Sequence, residues 1–191
     1  MPIDPERRQL LRFSLLAALP SFIALDTRAA TAAGSSAPSD FDSFLGKWQV
    51  RHRRLKQRLA GSAEWEEFDG TTHWQSILGG IANFNDSIVH RSAGTYRGMG
   101  LRAFDVSTNT WTDWYLDGRN PTKVALDGTG RFVDGVGTFF SDDTFEGKPI
   151  KVRGMFTPLS ATTMQWKQAF SPDGGKTWET NYVMHHRRIA T

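Results

Sequence analysis

From Gly46 onward the chain alternates between apolar and polar positions. Trp48, Val50 and His52 oppose Gln49, Arg51 and Arg53, and Trp111, Asp113 and Tyr115 oppose Thr112, Trp114 and Leu116. Near the C-terminus Met164, Trp166, Gln168 and Phe170 oppose Thr163, Gln165 and Lys167. Trp178, Thr180, Tyr182 and Met184 likewise oppose Glu179, Asn181 and Val183. A period of two in aromatic and β-branched residues predicts strands. Turn dipeptides punctuate the pattern at Asp69-Gly70, Gly79-Gly80, Asp117-Gly118, Asp127-Gly128, Asp134-Gly135, Glu146-Gly147 and Asp173-Gly174. Strands are therefore predicted over 47–56, 64–77, 83–91, 95–105, 110–117, 122–127, 130–141, 149–157, 162–170 and 177–188. Only Asp40 to Leu45 reads as a short helical turn, with Asp40 or Ser43 as its cap. The fold class is all-β: an antiparallel up-and-down barrel of about nine or ten strands, whose closure removes the two edges an open sheet would expose. A two-sheet sandwich is the alternative.

The N-terminus carries a different pattern. Arg7-Arg8-Gln9-Leu10-Leu11-Arg12 resembles a twin-arginine export signal, with Glu6 where Ser or Thr is usual. The apolar run Phe13 to Leu25 contains Pro20 and falls short of the roughly 20 residues that cross a bilayer. Small residues from Ala29 to Ala33 then offer a cleavage site. Residues 1–33 are read as a cleavable leader, 34–43 as a tether and 44–191 as the barrel domain. A membrane-anchoring N-terminal helix is the competing reading. The leader reading implies a periplasmic or secreted protein with no stable membrane anchor after cleavage.

Composition narrows the field. The 191 residues contain no cysteine, which excludes a disulfide scaffold or a thiolate metal site. A formal net charge of +3 gives little reason to expect a polyanion partner, so nucleic acid is not expected. The basic run Arg51 to Arg58 is followed by Glu64, Glu66, Glu67 and Asp69, and is read as a salt-bridged hairpin.

Phe44-Leu45-Gly46-Lys47-Trp48 resembles the G-x-W opening of lipocalins and related calycin barrels. That resemblance implies that Trp48 seals one end of the barrel and that Arg187 or Arg188 covers its ring. More broadly, the chain resembles an uncharacterised bacterial family of exported lipocalin-like proteins. The residues behind this include Arg53 to Gly61, Glu64 to Gly70, Leu78-Gly79-Gly80, Trp114 to Asn120, Phe132 to Gly137 and Asp142 to Gly147. The family implies a fold and brings no catalytic residues with it.

Two motifs are given structural readings. Ser171, Asp173, Gly175, Thr177 and Trp178 fit the Asp-box of sialidase propellers, but one copy cannot build a propeller, so a stiff hairpin is expected. His185 and His186 are adjacent on one strand and must face opposite sides, and His52, His73 and His90 show no ligand spacing, so no metal is predicted.

What remains is a set of polar residues interleaved with aromatic ones. Trp74, Trp114 and Trp166 are candidate stacking surfaces, and Arg102, Arg119, Arg153, Gln168 and Asn181 are candidate orienting groups. The expected function is binding of a small hydrophobic or aromatic molecule in the lumen, without a cofactor. The first alternative is a cofactor-free isomerase, lyase or hydrolase, with His52 or Asp117 as candidate general base. The second is a protein-interaction module, and a homodimer is a further candidate partner. An ionisable pair inside a closed cavity favours the enzyme, and a solid interior favours the interaction module.

Overall fold

The computed structural model describes residues 36–190. The leader expected over 1–33 lies outside the described residues. Ten antiparallel strands follow one another: β1 (Gly46–Leu55), β2 (Trp65–Ile77), β3 (Ala82–Arg91), β4 (Gly94–Asp105), β5 (Thr110–Asp117), β6 (Val124–Val133), β7 (Val136–Phe145), β8 (Lys148–Ser160), β9 (Thr163–Ser171) and β10 (Glu179–Arg188). Each pairs with its neighbours in sequence and β10 pairs back onto β1, closing the barrel. Trp48 faces Arg188 and Arg54 faces Tyr182 in that closing ladder. The up-and-down barrel is thus the observed architecture.

One end of the barrel is plugged. The segment expected as a tether contributes to the core: a 3-10 helix, Pro38–Phe44, places Phe41 and Phe44 among the fully buried side chains. The Phe41 ring meets Trp111 and Phe132 at 4.9 Å and Phe156 at 5.2 Å. Asp40 fixes the plug, because its Oδ2 accepts from the Ala37 N–H at 2.8 Å and from Trp111 Nε1 at 3.0 Å. Trp48 donates from Nε1 to the Phe44 carbonyl at 2.7 Å, and the Arg188 guanidinium lies 4.1 Å from its ring centroid. The arginine cover implied by the G-x-W resemblance is therefore present, and Arg188 supplies it.

The strand faces follow the period of two. Outward Arg51 pairs with Glu67 and Asp69, and Arg53 with Glu67, making the expected salt-bridged hairpin. The Asp-box also forms a local turn. Asp173 Oδ1 accepts from Ser171 Oγ, Lys176 N and Thr177 N at 2.7–3.0 Å, and Trp178 Nε1 donates to the Gly175 carbonyl.

Two of the expected turn dipeptides lie inside strands: β2 runs straight through Asp69-Gly70, and the second shifts the register of its strand. Asp127-Gly128 is no turn: β6 runs through it, and the reversal comes at Asp134-Gly135, where φ is 50° and 77°. This turn matches the primed hairpin conformation that favours Asp-Gly. At Asp127 the ladder slips, with Gly128 opposite Asp113 but Leu126 opposite Trp114. Asp127 is the extra residue of a β-bulge.

Candidate functional site

Above the plug the barrel is hollow. A cavity of about 290 Å³ is lined by inward residues of β1 to β6 and β8 to β10, with Phe156 and Trp166 on one wall and Trp74 at its base. This is the small end of the range for ligand pockets. Two depressions on the outer surface, one at Gln49, His185 and Arg187 and one at Lys56 to Ala60, are walled largely by exposed side chains. Aromatic walls and buried polar groups converge in the lumen.

Glycines on the inward face of β4 make room for this site. A Cβ at Gly100 would collide with Arg102 Nη2 and lie 2.6 Å from Asn85 Oδ1, while one at Gly98 would collide with the Tyr115 hydroxyl. Arg102 occupies the space so created and is 5% exposed. Its guanidinium lies 4.2 Å from the Trp74 centroid and 5.2 Å from that of Phe156. Nη1 donates to Asn85 Oδ1 at 2.8 Å and to Asn83 Oδ1 at 3.3 Å. Nε stands 3.1 Å from Asp113 Oδ1, in ion-pair contact but off the N–H direction, so neither atom completes a hydrogen bond.

Asp127 enters the same space from the bulge. Burial pushes its carboxyl above the ordinary aspartate range, with Arg102 opposing that rise. Asp113 is also raised, first by burial and further by Asp127, against the pull of Arg102. Two carboxyls thus share one buried cation. Among the described residues Asp127 forms no ion pair and no side-chain hydrogen bond, which leaves it facing the lumen.

Higher up, His52 stacks on Phe68 at 4.8 Å and shares a 2.8 Å hydrogen bond between Nδ1 and the Tyr182 hydroxyl. Burial lowers the His52 pKa to about 4 and that of buried His186 to about 3, so both rings are neutral near pH 7. At the mouth Arg54 and Arg91 converge on Glu66, at 3.3 and 2.5 Å. Arg58 reaches the lumen from the β1–β2 connection, with its guanidinium 5.8 Å from the rings of Phe145 and Phe170.

No family profile matches the chain, and no curated protein matches it in sequence. Among solved structures it is similar to the S-type phycobiliprotein lyase CPES from Guillardia theta, with a TM-score of 0.55 at 12% identity, over 82% of this chain and 94% of that one. A redesigned β-barrel and a de novo designed fluorescence-activating β-barrel follow. Their TM-scores are 0.44 and 0.43, at 15% and 14% identity, over 82% and 80% of this chain and 100% and 99% of theirs. The fold is a closed ten-stranded antiparallel β-barrel. At these identities the likeness is one of fold alone.

The closed barrel brings some of the sequence-predicted residues together and separates others. Trp74, Arg102, Arg119, Trp166, Gln168 and His52 all line the lumen. Four candidates do not. Trp114 lies on the outer face, because it alternates with inward Asp113 and Tyr115. Arg153 also points outward, where it covers Trp178 at 4.5 Å. Asn181 is the unpaired residue of a bulge between Thr180 and Tyr182, fully buried away from the lumen wall. Asp117 sits at the rim in a bidentate contact with Arg119, which holds its carboxyl below the usual range and makes it a poor base.

The pattern missed Asp127, Asn85, Tyr115, Tyr182 and Arg58, all of which line the lumen. A signal for Asp127 was available. Leu126 to Val133 can be read as one run through Gly128, with the reversal left to Asp134-Gly135. A lone glycine inside a strand marks a bulge.

Proposed function

We propose that the chain is an exported binding protein that holds a small, partly apolar aromatic molecule in the barrel lumen. The observation that carries this reading is a hollow interior whose buried polar atoms lack partners. Trp74 Nε1 and His186 Nδ1 are buried without a hydrogen-bond partner among the described residues, and both residues border the cavity. An unsatisfied buried polar group costs about 1–3 kcal/mol, so an occupant that satisfies them gains affinity and direction together. A hollow lumen also removes the main support for a plain interaction module. Export rests on the twin-arginine-like leader.

A second reading, the cofactor-free enzyme, is favoured by one observation: a half-buried carboxyl raised above its ordinary pKa faces the cavity at Asp127. Such a group is suited to moving a proton near neutral pH. The other ionisable pairs are engaged with each other, Asp113 with Arg102 and His52 with Tyr182, which supports binding as the primary role.

The test is native mass spectrometry of protein purified from its own host compartment, with quenching of lumen tryptophan fluorescence by added aromatic compounds. A co-purifying small molecule, or saturable quenching lost on Trp166→Ala, supports the binding reading. A bare mass together with no saturable quenching overturns it. Turnover of the bound molecule that Asp127→Asn abolishes selects the enzyme.

A further inference from the structure

The lumen is polarised along its axis. Deep in the barrel, two carboxyls, Asp113 and Asp127, share the single cation Arg102, whose Nη1 is already donated to Asn83 and Asn85. Carboxyl groups outnumber cations there, two to one. At the mouth the balance reverses, because Arg54 and Arg91 both lean on Glu66, while Arg119 is satisfied by Asp117. Arg58 forms no ion pair among the described residues: Glu66 attracts it but is already held by Arg54 and Arg91, which repel it. Neither Asp127 nor Arg58 figures in the electrostatic surroundings of the other, so the two unmatched charges do not neutralise each other. Between them the wall is aromatic, from Trp166 and Phe156 to Tyr115 and Tyr182. The two tyrosine hydroxyls are raised above their ordinary pKa by burial and stay protonated.

We infer that the preferred occupant is bipolar: an aromatic body whose N–H or protonated nitrogen donates to Asp127, and an anionic group that meets Arg58 at the mouth. This rests on the binding reading above and specifies its ligand class. A purely apolar molecule leaves both charges unmatched, and a simple anion placed deep would face two carboxyls. The carboxylate–nitrogen contact is charge-assisted, the stronger class of hydrogen bond.

The experiment compares three matched probes by fluorescence titration of the full chain at a pH of about 8. An indolyl butyrate carries both the N–H and the carboxylate, a naphthyl butyrate lacks the N–H, and butylindole lacks the carboxylate. The indolyl butyrate is expected to bind at least about tenfold more tightly than either of the others, the scale of one charge-assisted contact. Asp127→Ala should abolish the preference for indole over naphthalene while keeping the preference for the carboxylate. Arg58→Met should do the reverse. If Asp127→Ala fails to fold, the isosteric Asp127→Asn replaces it, and the wild-type comparison stands alone. Equal affinities for the three probes overturn the inference and leave the binding reading intact. Binding of none of them, with a bare native mass, overturns the binding reading itself.

Discussion

Arg188 stands over the Trp48 ring while its three donor nitrogens reach three carbonyls: Nε to Ala161, Nη1 to Leu45 and Nη2 to Ser43, at 2.5–3.1 Å. One side chain thereby ties the plug, its link to the first strand and the β8–β9 turn to the last strand. Arg188→Ala is expected to lower stability by about 2–4 kcal/mol, from the lost cation–π contact and charged hydrogen bonds. Arg188→Lys should fall between, since an ammonium keeps the charge but not the planar fork. Urea unfolding of the two variants checks this, and equal midpoints for alanine and wild type would show the lock to be idle.

Arg102 and Asp113 form a different kind of contact, with both partners 5% exposed. Breaking a buried pair by removing one partner leaves an uncompensated charge, and Arg102→Met alone should cost about 3–5 kcal/mol. Replacing both partners, as Arg102→Met with Asp113→Leu, should recover much of that loss while ligand affinity stays low. Recovery of affinity along with stability would mean that the pair serves the fold rather than the lumen.

Much of the fold could be read from the chain because a period of two is a local property: β2, β4 and β5 begin and end within one residue of where alternation and turn residues place them. The site was less legible, and Trp114 shows why. Alternation groups residues by face but does not say which face is inside, so Trp114 seemed as good a stacking surface as Trp166 until Asp113 and Tyr115 fixed the inward set. Asp127 and Asn181 were misplaced for a related reason. Each is the extra residue of a bulge, where the alternation breaks and a one-residue slip changes which way a side chain points. Arg58 lies outside any strand, and its approach to the lumen depends on Leu59, whose N–H donates to Glu179 Oε1 at 2.7 Å, a contact between positions far apart in sequence.

Inward glycines differ in what a methyl group would strike. At Gly130 a Cβ would collide with the Thr138 carbonyl and lie 2.7 Å from the Phe139 Cα, both of them backbone in the paired strand β7. Gly130→Ala should therefore separate two strands and cost at least about 1–3 kcal/mol. At Gly98 the obstacle is the tip of Tyr115, a side chain that can swing into the cavity. Gly98→Ala should lose less stability but weaken binding of an aromatic probe. Denaturant midpoints and tryptophan quenching, measured on both variants, should rank them in opposite orders.

The Asp-box turn should prove separable from the site. Asp173 accepts from Ser171, Lys176 and both the N–H and hydroxyl of Thr177, which holds its carboxyl well below the ordinary aspartate range. Asp173→Ala is expected to lower the melting temperature and leave probe affinity unchanged. If affinity falls while melting does not, the motif belongs to the binding machinery.

The buried titratable groups should set two opposing slopes of stability against pH. His52 takes up a proton at about 4 in the fold against an ordinary value of 6.5, because burial disfavours its charged form. Between those values the unfolded chain binds the proton and the fold does not, so the stability from His52 is full above 6.5 and lost as pH falls toward 4. The carboxyls run the other way. Asp113 and Asp127 are raised above 3.8, so their contribution is full below that value and lost as pH rises through their raised folded values. The two trends offset each other in the wild type over mildly acidic pH. His52→Phe keeps the stack on Phe68 and removes one acid-sensitive group, so on acidification from about pH 7 to about pH 5 it should lose less stability than wild type. Asp127→Asn removes a group that favours acid and should lose more. Each difference has a ceiling of about 1.4 kcal/mol per pH unit, the slope of one proton, and urea midpoints across that range measure it. A wild-type slope in the His52→Phe variant would mean that the ring titrates as it does in water, and so is not held neutral inside the barrel.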